Sequence, residues 1–258
     1  MNDTFSNRLN KIGLTTEEIL SKINYIEDDS VLIYTSHLEG LGTQDSDFDI
    51  FVITSKMPNM TCHLPSGKMI STSIYLPSVR LDIEYRSKED VLDLIERICN
   101  KEENFSNGDL AFASKLLYAL NLYNESEYKE LLSNEIAIKL GQQLKKLAIR
   151  NYLIRATAYL DDAGKFLVAR EFECSLIASR NAIENAIGAI NAINGHVNFN
   201  AKWIPKIFLM ATDEKEDFIK EYRRLCIYPT ITKDNFDQSL KDMISFAQDL
   251  CSYIAFES

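Results

Sequence analysis

Four residues between positions 36 and 49 have the types and spacing to do chemistry together: Ser36, Gly40, Asp47 and Asp49. The pattern is Ser-x3-Gly-x6-Asp-x-Asp. An apolar run, 31–34, precedes it, and the aspartates open a second apolar run that reaches about residue 54. In a strand, residues i and i+2 share a face, so Asp47 and Asp49 point one way while Phe48 and Ile50 point into a core. Two carboxylates held side by side repel each other unless a cation sits between them. An all-oxygen ligand set suits Mg²⁺, which binds through a few carboxylates and keeps positions for phosphate oxygens. The loop before the aspartates offers backbone N–H groups and a hydroxyl to the same phosphates.

Written out, Thr35-Ser36-His37-Leu38-Glu39-Gly40 followed by Ser46-Asp47-Phe48-Asp49 resembles the signature of the DNA polymerase β-like nucleotidyltransferase superfamily, Gly-Ser-x3-Gly and then Ser-Asp-x-Asp. Thr35 stands where that family usually has a glycine, whose missing side chain lets the loop approach a triphosphate closely. The resemblance implies Mg²⁺-dependent transfer of an NMP, with ATP the expected donor, from an NTP to a hydroxyl, releasing pyrophosphate. Asp47 and Asp49 would hold two Mg²⁺ ions, and Thr35, Ser36, Gly40 and Ser46 would line the triphosphate. The superfamily draws a third carboxylate from a neighbouring strand. The segment 79–86 alternates cleanly, with Leu81, Ile83 and Tyr85 on one face and Asp82, Glu84 and Arg86 on the other. Asp82 is the expected third carboxylate and metal ligand, and Glu84, two residues on, is its rival. Either would serve as the base for the acceptor hydroxyl. The plainer alternative makes both of them solvent-facing charges balanced by Arg80 and Arg86.

The elements that must position these residues are legible in outline. Thr15 and Glu18 form a capping box ahead of an apolar stripe at Ile19, Leu20, Ile23 and Ile26. Residues 55–67, with Pro58, Pro65 and Gly67, read as a loop. Residues 68–76 and 79–86 read as strands separated by a Pro77-Ser78 turn. Ser87, with Asp90 three residues later, caps a helix whose apolar face is Val91, Leu92, Leu94, Ile95 and Ile98. From residue 104 the pattern turns helical: 110–123, then 127–160 as one or two helices. A turn at 161–164 follows, then a long helix over 165–194 closed by Gly195. After a loop with Trp203 and Pro205 come helices near 213–226 and 234–255. No strand signal follows residue 90. The fold class is α+β: a small mixed sheet with flanking helices over 1–123, followed by an all-α helical bundle over 124–258.

The two-part plan also resembles the aminoglycoside-type nucleotidyltransferases, in which a helical domain closes over the acceptor. That likeness rests on residues 182–195 followed by Lys202, Trp203 and Lys206, and it implies a nucleotide contact from Lys202 or Lys206. Glu173, Arg180 and Glu184 share a helical face that either lines an acceptor pocket or forms a solvated, salt-bridged surface. His37 lies inside the motif loop, while His63 and His196 have no identifiable partners.

The 258 residues are 46% apolar, enough for a real core, and carry a net charge of −10. That charge argues against nucleic acid as a partner, because phosphates want a basic surface. It suits a small-molecule acceptor, a cationic antibiotic or natural product. Five scattered cysteines (Cys62, Cys99, Cys174, Cys226, Cys251) form no CxxC pair and read as free thiols of a cytoplasmic protein. No apolar run reaches membrane-spanning length. The oligomeric state is open, a homodimer included. Two other readings stand beside the small-molecule transferase. One is a non-catalytic nucleotide-binding or regulatory protein on a degenerate scaffold, for which Thr35 is the best support. The other is an antitoxin-like enzyme that modifies a protein hydroxyl.

Overall fold

The computed structural model describes residues 3–58, 69–102, 104–210, 216–230, 232 and 235–257. Most of the expected 55–67 loop, with Pro65, Gly67, Cys62 and His63, lies outside them, as do the expected ends at 68, 213–215 and 234. The chain divides into two compact units, Met1–Gln143 and Leu144–Ser258. The expected division fell at 123/124. The protein is α+β, a five-stranded mixed sheet with flanking helices followed by a largely helical part.

In the first unit, α1 (Asp3–Ile12) and α2 (Thr16–Leu20) lead into β1 (Ser30–Tyr34), a short 3₁₀ turn (Ser36–Glu39) and β2 (Phe48–Thr54). Next come β3 (Met69–Tyr75), β4 (Arg80–Ser87), α3 (Lys88–Cys99), α4 (Asn107–Leu116), β5 (Leu120–Tyr123) and α5 (Glu125–Leu131). The capping box at Thr15 and Glu18 and the Ser87 cap on α3 are both formed. The sheet order is β3-β4-β2-β1-β5. β2 and β4 run parallel and every other pair is antiparallel.

All five residues of β1 are buried, as a near-continuous apolar run predicts for a central strand. Phe48, Ile50, Val52, Leu81, Ile83 and Tyr85 form one sheet face and pack with Phe5, Leu9, Ile19 and Ile23 from the N-terminal segment. The Phe5 and Phe48 ring centres lie 5.8 Å apart. The opposite face carries Asp49, Phe51, Asp82 and Glu84, and α4 reaches it through an edge-on contact of Phe112 with Phe51 at 5.1 Å.

The segment 110–123 corrects the helical expectation. Helix α4 stops at Leu116, and Leu120–Tyr123 is a strand hydrogen-bonded to β1. A short apolar run satisfies a buried helix and a strand equally well. The exposed ladder of β1 decided between them.

The second unit holds most of α6 (Asn134–Val168), then α7 (Phe172–Ile193), α8 (Ile204–Met210), α9 (Glu216–Tyr222), a π-helical turn (Arg223–Ile227) and α10 (Phe236–Glu257). Its core is rich in alanine and isoleucine, with Ala148, Ala182, Ala186, Ile187 and Ile190 fully buried. The 161–164 segment is helical and no turn, so α6 and α7 meet elsewhere than expected. The break comes at Arg170, which is left-handed (φ 60°). There Glu171 N–H donates to Phe166 O at 2.9 Å and Arg170 N–H to Leu167 O at 3.1 Å. This is a Schellman ending with arginine at the position glycine usually takes, so Gly164 pointed to the wrong residue. Gly195 (φ 89°) ends α7 in the same manner and where expected. Pro205 sits in the first turn of α8, a position that tolerates its missing N–H, and not in a loop. No helix among the described residues is long and apolar enough to cross a membrane.

Gly188 on α7 faces the Tyr152 ring of α6, and a Cβ placed there would stand 3.0–3.1 Å from it. Gly164 has nothing within 4 Å. Gly188→Leu should therefore lower the unfolding free energy by about 2–3 kcal/mol through overpacking. Gly164→Ala should leave it unchanged or raise it by up to about 1 kcal/mol through helix propensity. Urea denaturation of the two variants followed by circular dichroism checks both signs.

Candidate active site

The motif loop is held shut by its own backbone. Ser36 O accepts from Leu41 N–H at 2.9 Å and from Gly42 N–H at 3.0 Å. Thr35 O accepts from Leu38 N–H, and His37 O from Gly40 N–H. Gly40 is left-handed (φ 74°) and closes the 3₁₀ turn, which explains a glycine at that point. Gly42 lies against the His37 ring, where a Cβ would come within 2.5 Å of it. Ser46 stitches the far side: Thr43 N–H donates to its Oγ at 2.8 Å, and the Ser36 hydroxyl donates to the same oxygen at 3.2 Å. Arg8 of α1 donates to Gln44 O and ties the loop to the N-terminal helix. The loop N–H groups of Leu38, Gly40, Leu41, Gly42 and Thr43 thus have partners within the loop.

Thr35 has an extended backbone (φ −147°, ψ 146°), so a β-branched residue sits there without strain. Its side chain is fully buried, and its hydroxyl has no hydrogen-bond partner. The side chain expected to narrow the approach of a triphosphate is turned into the protein.

Beyond the loop, strand register assembles the carboxylates. Asp49 is the direct partner of Asp82 across the parallel β2–β4 pair. Tyr34 of β1 pairs with Asp49, and Ser73 of β3 pairs with Asp82. A row of four polar side chains therefore crosses four strands, in the order Tyr34, Asp49, Asp82, Ser73. Asp47, just ahead of β2, joins the row through Arg80. The Arg80 Nη2 lies 2.5 Å from Asp47 Oδ2 and 2.6 Å from Asp82 Oδ2. Ser73 donates to the other Asp82 oxygen at 2.6 Å. Lys115 of α4 places Nζ 2.9 Å from Asp49 Oδ2 and 5.2 Å from the Tyr34 ring centre.

Glu84 goes elsewhere. It pairs with Arg86, whose guanidinium lies 3.9 Å over the Phe112 ring and 3.8 Å from Asp109. Lys202 belongs to the second unit, where it and Lys206 lie 5.0 and 5.3 Å from the Trp203 ring centre. Glu184 in the same unit has its carboxyl pushed up by burial, against the pull of Arg180.

Electrostatics follow from this placement. Burial raises the Asp49 carboxyl above its usual range, Lys115 opposes the rise, and Asp47 and Asp82 add to it. Burial, with Glu39 beside it, raises the Tyr34 phenol strongly, and that hydroxyl donates to Glu39. Three convergent carboxylates are a hard, all-oxygen donor set of the kind Mg²⁺ takes. Two side-chain cations already sit on them, so the row accepts positive charge. Among the described residues no group of three acidic, His or Cys side chains is arranged around a metal position, and one oxygen of each carboxylate is taken by Arg80 or Lys115.

Sequence reasoning treated Arg80 only as a surface counter-charge and missed Lys115, Ser73 and Tyr34. Lys115 did leave a signal, as the one charged residue in the apolar run 110–123. Removing it should strand a largely buried carboxylate. Lys115→Met is expected to cost about 1–2 kcal/mol, with much of that recovered in Lys115→Met/Asp49→Asn. Asp49 carries a raised pKa that the variant raises further, so the cost should be largest near pH 8 and shrink toward pH 5 as the carboxyl protonates. Urea titrations of the four proteins at both pH values test the coupling and its sign.

No protein-family model and no curated protein matches the chain. Among solved structures it is similar to a nucleotidyltransferase-like protein from Exiguobacterium sibiricum 255-15, with a TM-score of 0.52 and 10% sequence identity. The likeness covers 98% of this chain and 76% of that one. It extends to architecture and does not reach the aminoglycoside-type group, and with the sheet and carboxylate row described above it gives this chain the nucleotidyltransferase fold.

Proposed function

We propose that the protein is a divalent-metal-dependent nucleotidyltransferase that moves an NMP from an NTP, with ATP the expected donor, to a hydroxyl of a small molecule. The observation that carries this reading is the convergence of Asp47, Asp49 and Asp82 on one face of a nucleotidyltransferase-fold sheet. These three residues would hold Mg²⁺, which when bound supplies positive charge to the phosphates and acidity to the acceptor hydroxyl. Ser36 and Ser46, the two serines of the motif loop, would donate to phosphate oxygens. Asp82, the direct cross-strand partner of Asp49, is the better-placed acceptor for the hydroxyl proton once Arg80 has left it. Glu84 pairs across the strands with Phe51 and not with Asp49, and is the weaker candidate. The acceptor oxygen bonds to the α-phosphorus, the bond to the β-phosphate bridging oxygen breaks, and pyrophosphate leaves with that electron pair. The net charge of −10 favours a cationic acceptor, an antibiotic or natural product. The thiols fit a reducing, cytoplasmic setting.

The cations on the carboxylates favour a second reading, a nucleotide-binding regulatory protein without turnover. Calorimetric titration of ATP, GTP, CTP and UTP, with and without Mg²⁺, separates wild type from Asp47→Asn/Asp49→Asn. The transferase reading expects Mg²⁺-dependent binding that the double variant loses, together with pyrophosphate release over a panel of hydroxylated amines. Binding with no pyrophosphate from any acceptor would move the assignment to the regulatory reading.

A further inference from the structure

One nitrogen of Arg80 stands where two carboxylates meet. Its Nη2 is 2.5 Å from Asp47 Oδ2 and 2.6 Å from Asp82 Oδ2, while its Nε lies 3.1 Å from the same Asp82 oxygen. Lys115 takes the remaining carboxylate at 2.9 Å. Each of the three acids thus has one oxygen given to a side-chain cation. A divalent ion placed on those oxygens would meet both cations at contact distance, where like charges repel. The ion can enter only if the side chains leave. Arg80 can leave cheaply: it opens β4 and its side chain is 43% exposed. Lys115 is more confined, 28% exposed and held beside Tyr34 and Phe51. Once displaced, both cations need anions, and Arg in particular pairs well with phosphate.

We infer that Arg80 and Lys115 are internal counter-ions that close the carboxylate row to free divalent cations and exchange onto the phosphates of an incoming nucleotide. The inference rests on the metal–nucleotide reading above and adds regulation to it: metal and nucleotide bind cooperatively, each raising the affinity for the other by the same factor. A free metal ion alone would find the row occupied. A triphosphate alone would find its cations engaged.

The test reads metal binding directly. Mn²⁺ is titrated into the full chain and free Mn²⁺ is followed by electron paramagnetic resonance, alone and with each of the four α,β-methylene NTPs in turn, each nucleotide titration being read against the same nucleotide without protein because the triphosphate itself chelates Mn²⁺. Wild type should bind Mn²⁺ weakly alone and at least about tenfold more tightly with one of the nucleotides. Arg80→Gln should bind Mn²⁺ alone at least about tenfold more tightly than wild type and lose most of the nucleotide enhancement. Arg97→Gln makes the same charge change on α3, away from the row, and should behave as wild type. Adding Asp47→Asn to Arg80→Gln should abolish the gain, which places the ion on the carboxylates. Lys115→Gln should shift Mn²⁺ affinity in the same direction as Arg80→Gln. Circular dichroism confirms that each variant is folded. If Arg80→Gln binds Mn²⁺ no better than wild type while nucleotide-dependent binding persists, the counter-ion role is wrong and the metal–nucleotide reading stands. If no protein binds Mn²⁺ with any nucleotide, both fall.

Discussion

Three carboxylates gathered at one end of a sheet repel one another, and the first unit is arranged around keeping them there. The parallel pairing of β2 with β4 sets Asp49 directly beside Asp82. The chain before β2 brings in Asp47, and charge neutralisation then comes from two different directions. Arg80 arrives along β4 itself, two residues before Asp82, so the strand alternation that aims the acid also aims its counter-ion. Lys115 arrives from α4, which the edge-on contact of Phe112 with Phe51 docks on the same sheet face. A partly buried Asp49 without Lys115 would be a charge held in low dielectric with nothing to offset it.

The loop ahead of the carboxylates is built by the same economy of local partners. Gly40 makes the left-handed closure, Gly42 leaves room for the His37 ring, and Ser36 and Ser46 share a hydrogen bond across the loop. Those constraints account for the glycines and serines of the motif without invoking a ligand. Both serine hydroxyls are buried and spend their hydrogen bonds inside the loop. Thr35 shows why a residue type alone misleads: extended backbone and full burial remove it from the loop surface.

The second unit follows a different rule. Its core sets small side chains among large ones, with Gly188 of α7 against the Tyr152 ring of α6 and several buried alanines among isoleucine and aromatic side chains. Polar groups taken inside are satisfied by backbone carbonyls: Ser175 by Ala163, Asn191 by Ile204, and Tyr152 by Asn198. The buried hydroxyls of α7, Ser175 and Ser179, are both closed by helix carbonyls.

Much of this was written in the chain itself. Apolar runs marked β1 and β2, and alternation marked β4 and put Asp82 and Glu84 on one face. Caps placed the starts of α2 and α3, Gly195 ended α7, and the Ser-x3-Gly-x6-Asp-x-Asp spacing picked out the carboxylates, because these are local relations of backbone geometry and side-chain reach. Other features needed partners distant in sequence. Which strand lies beside β2, and in what register, chose Asp82 over Glu84 as neighbour of Asp49. The free ladder of β1 turned Leu120–Tyr123 into a strand. Packing carried α6 through Gly164 to an arginine ending. Lys115, 66 residues from Asp49 along the chain, became part of the site only when α4 docked on the sheet. Local pattern can name the acids, since a strand's period decides where they point; only the packed sheet decides which charges stand against them, since that depends on elements whose separation in sequence says nothing of their distance in space.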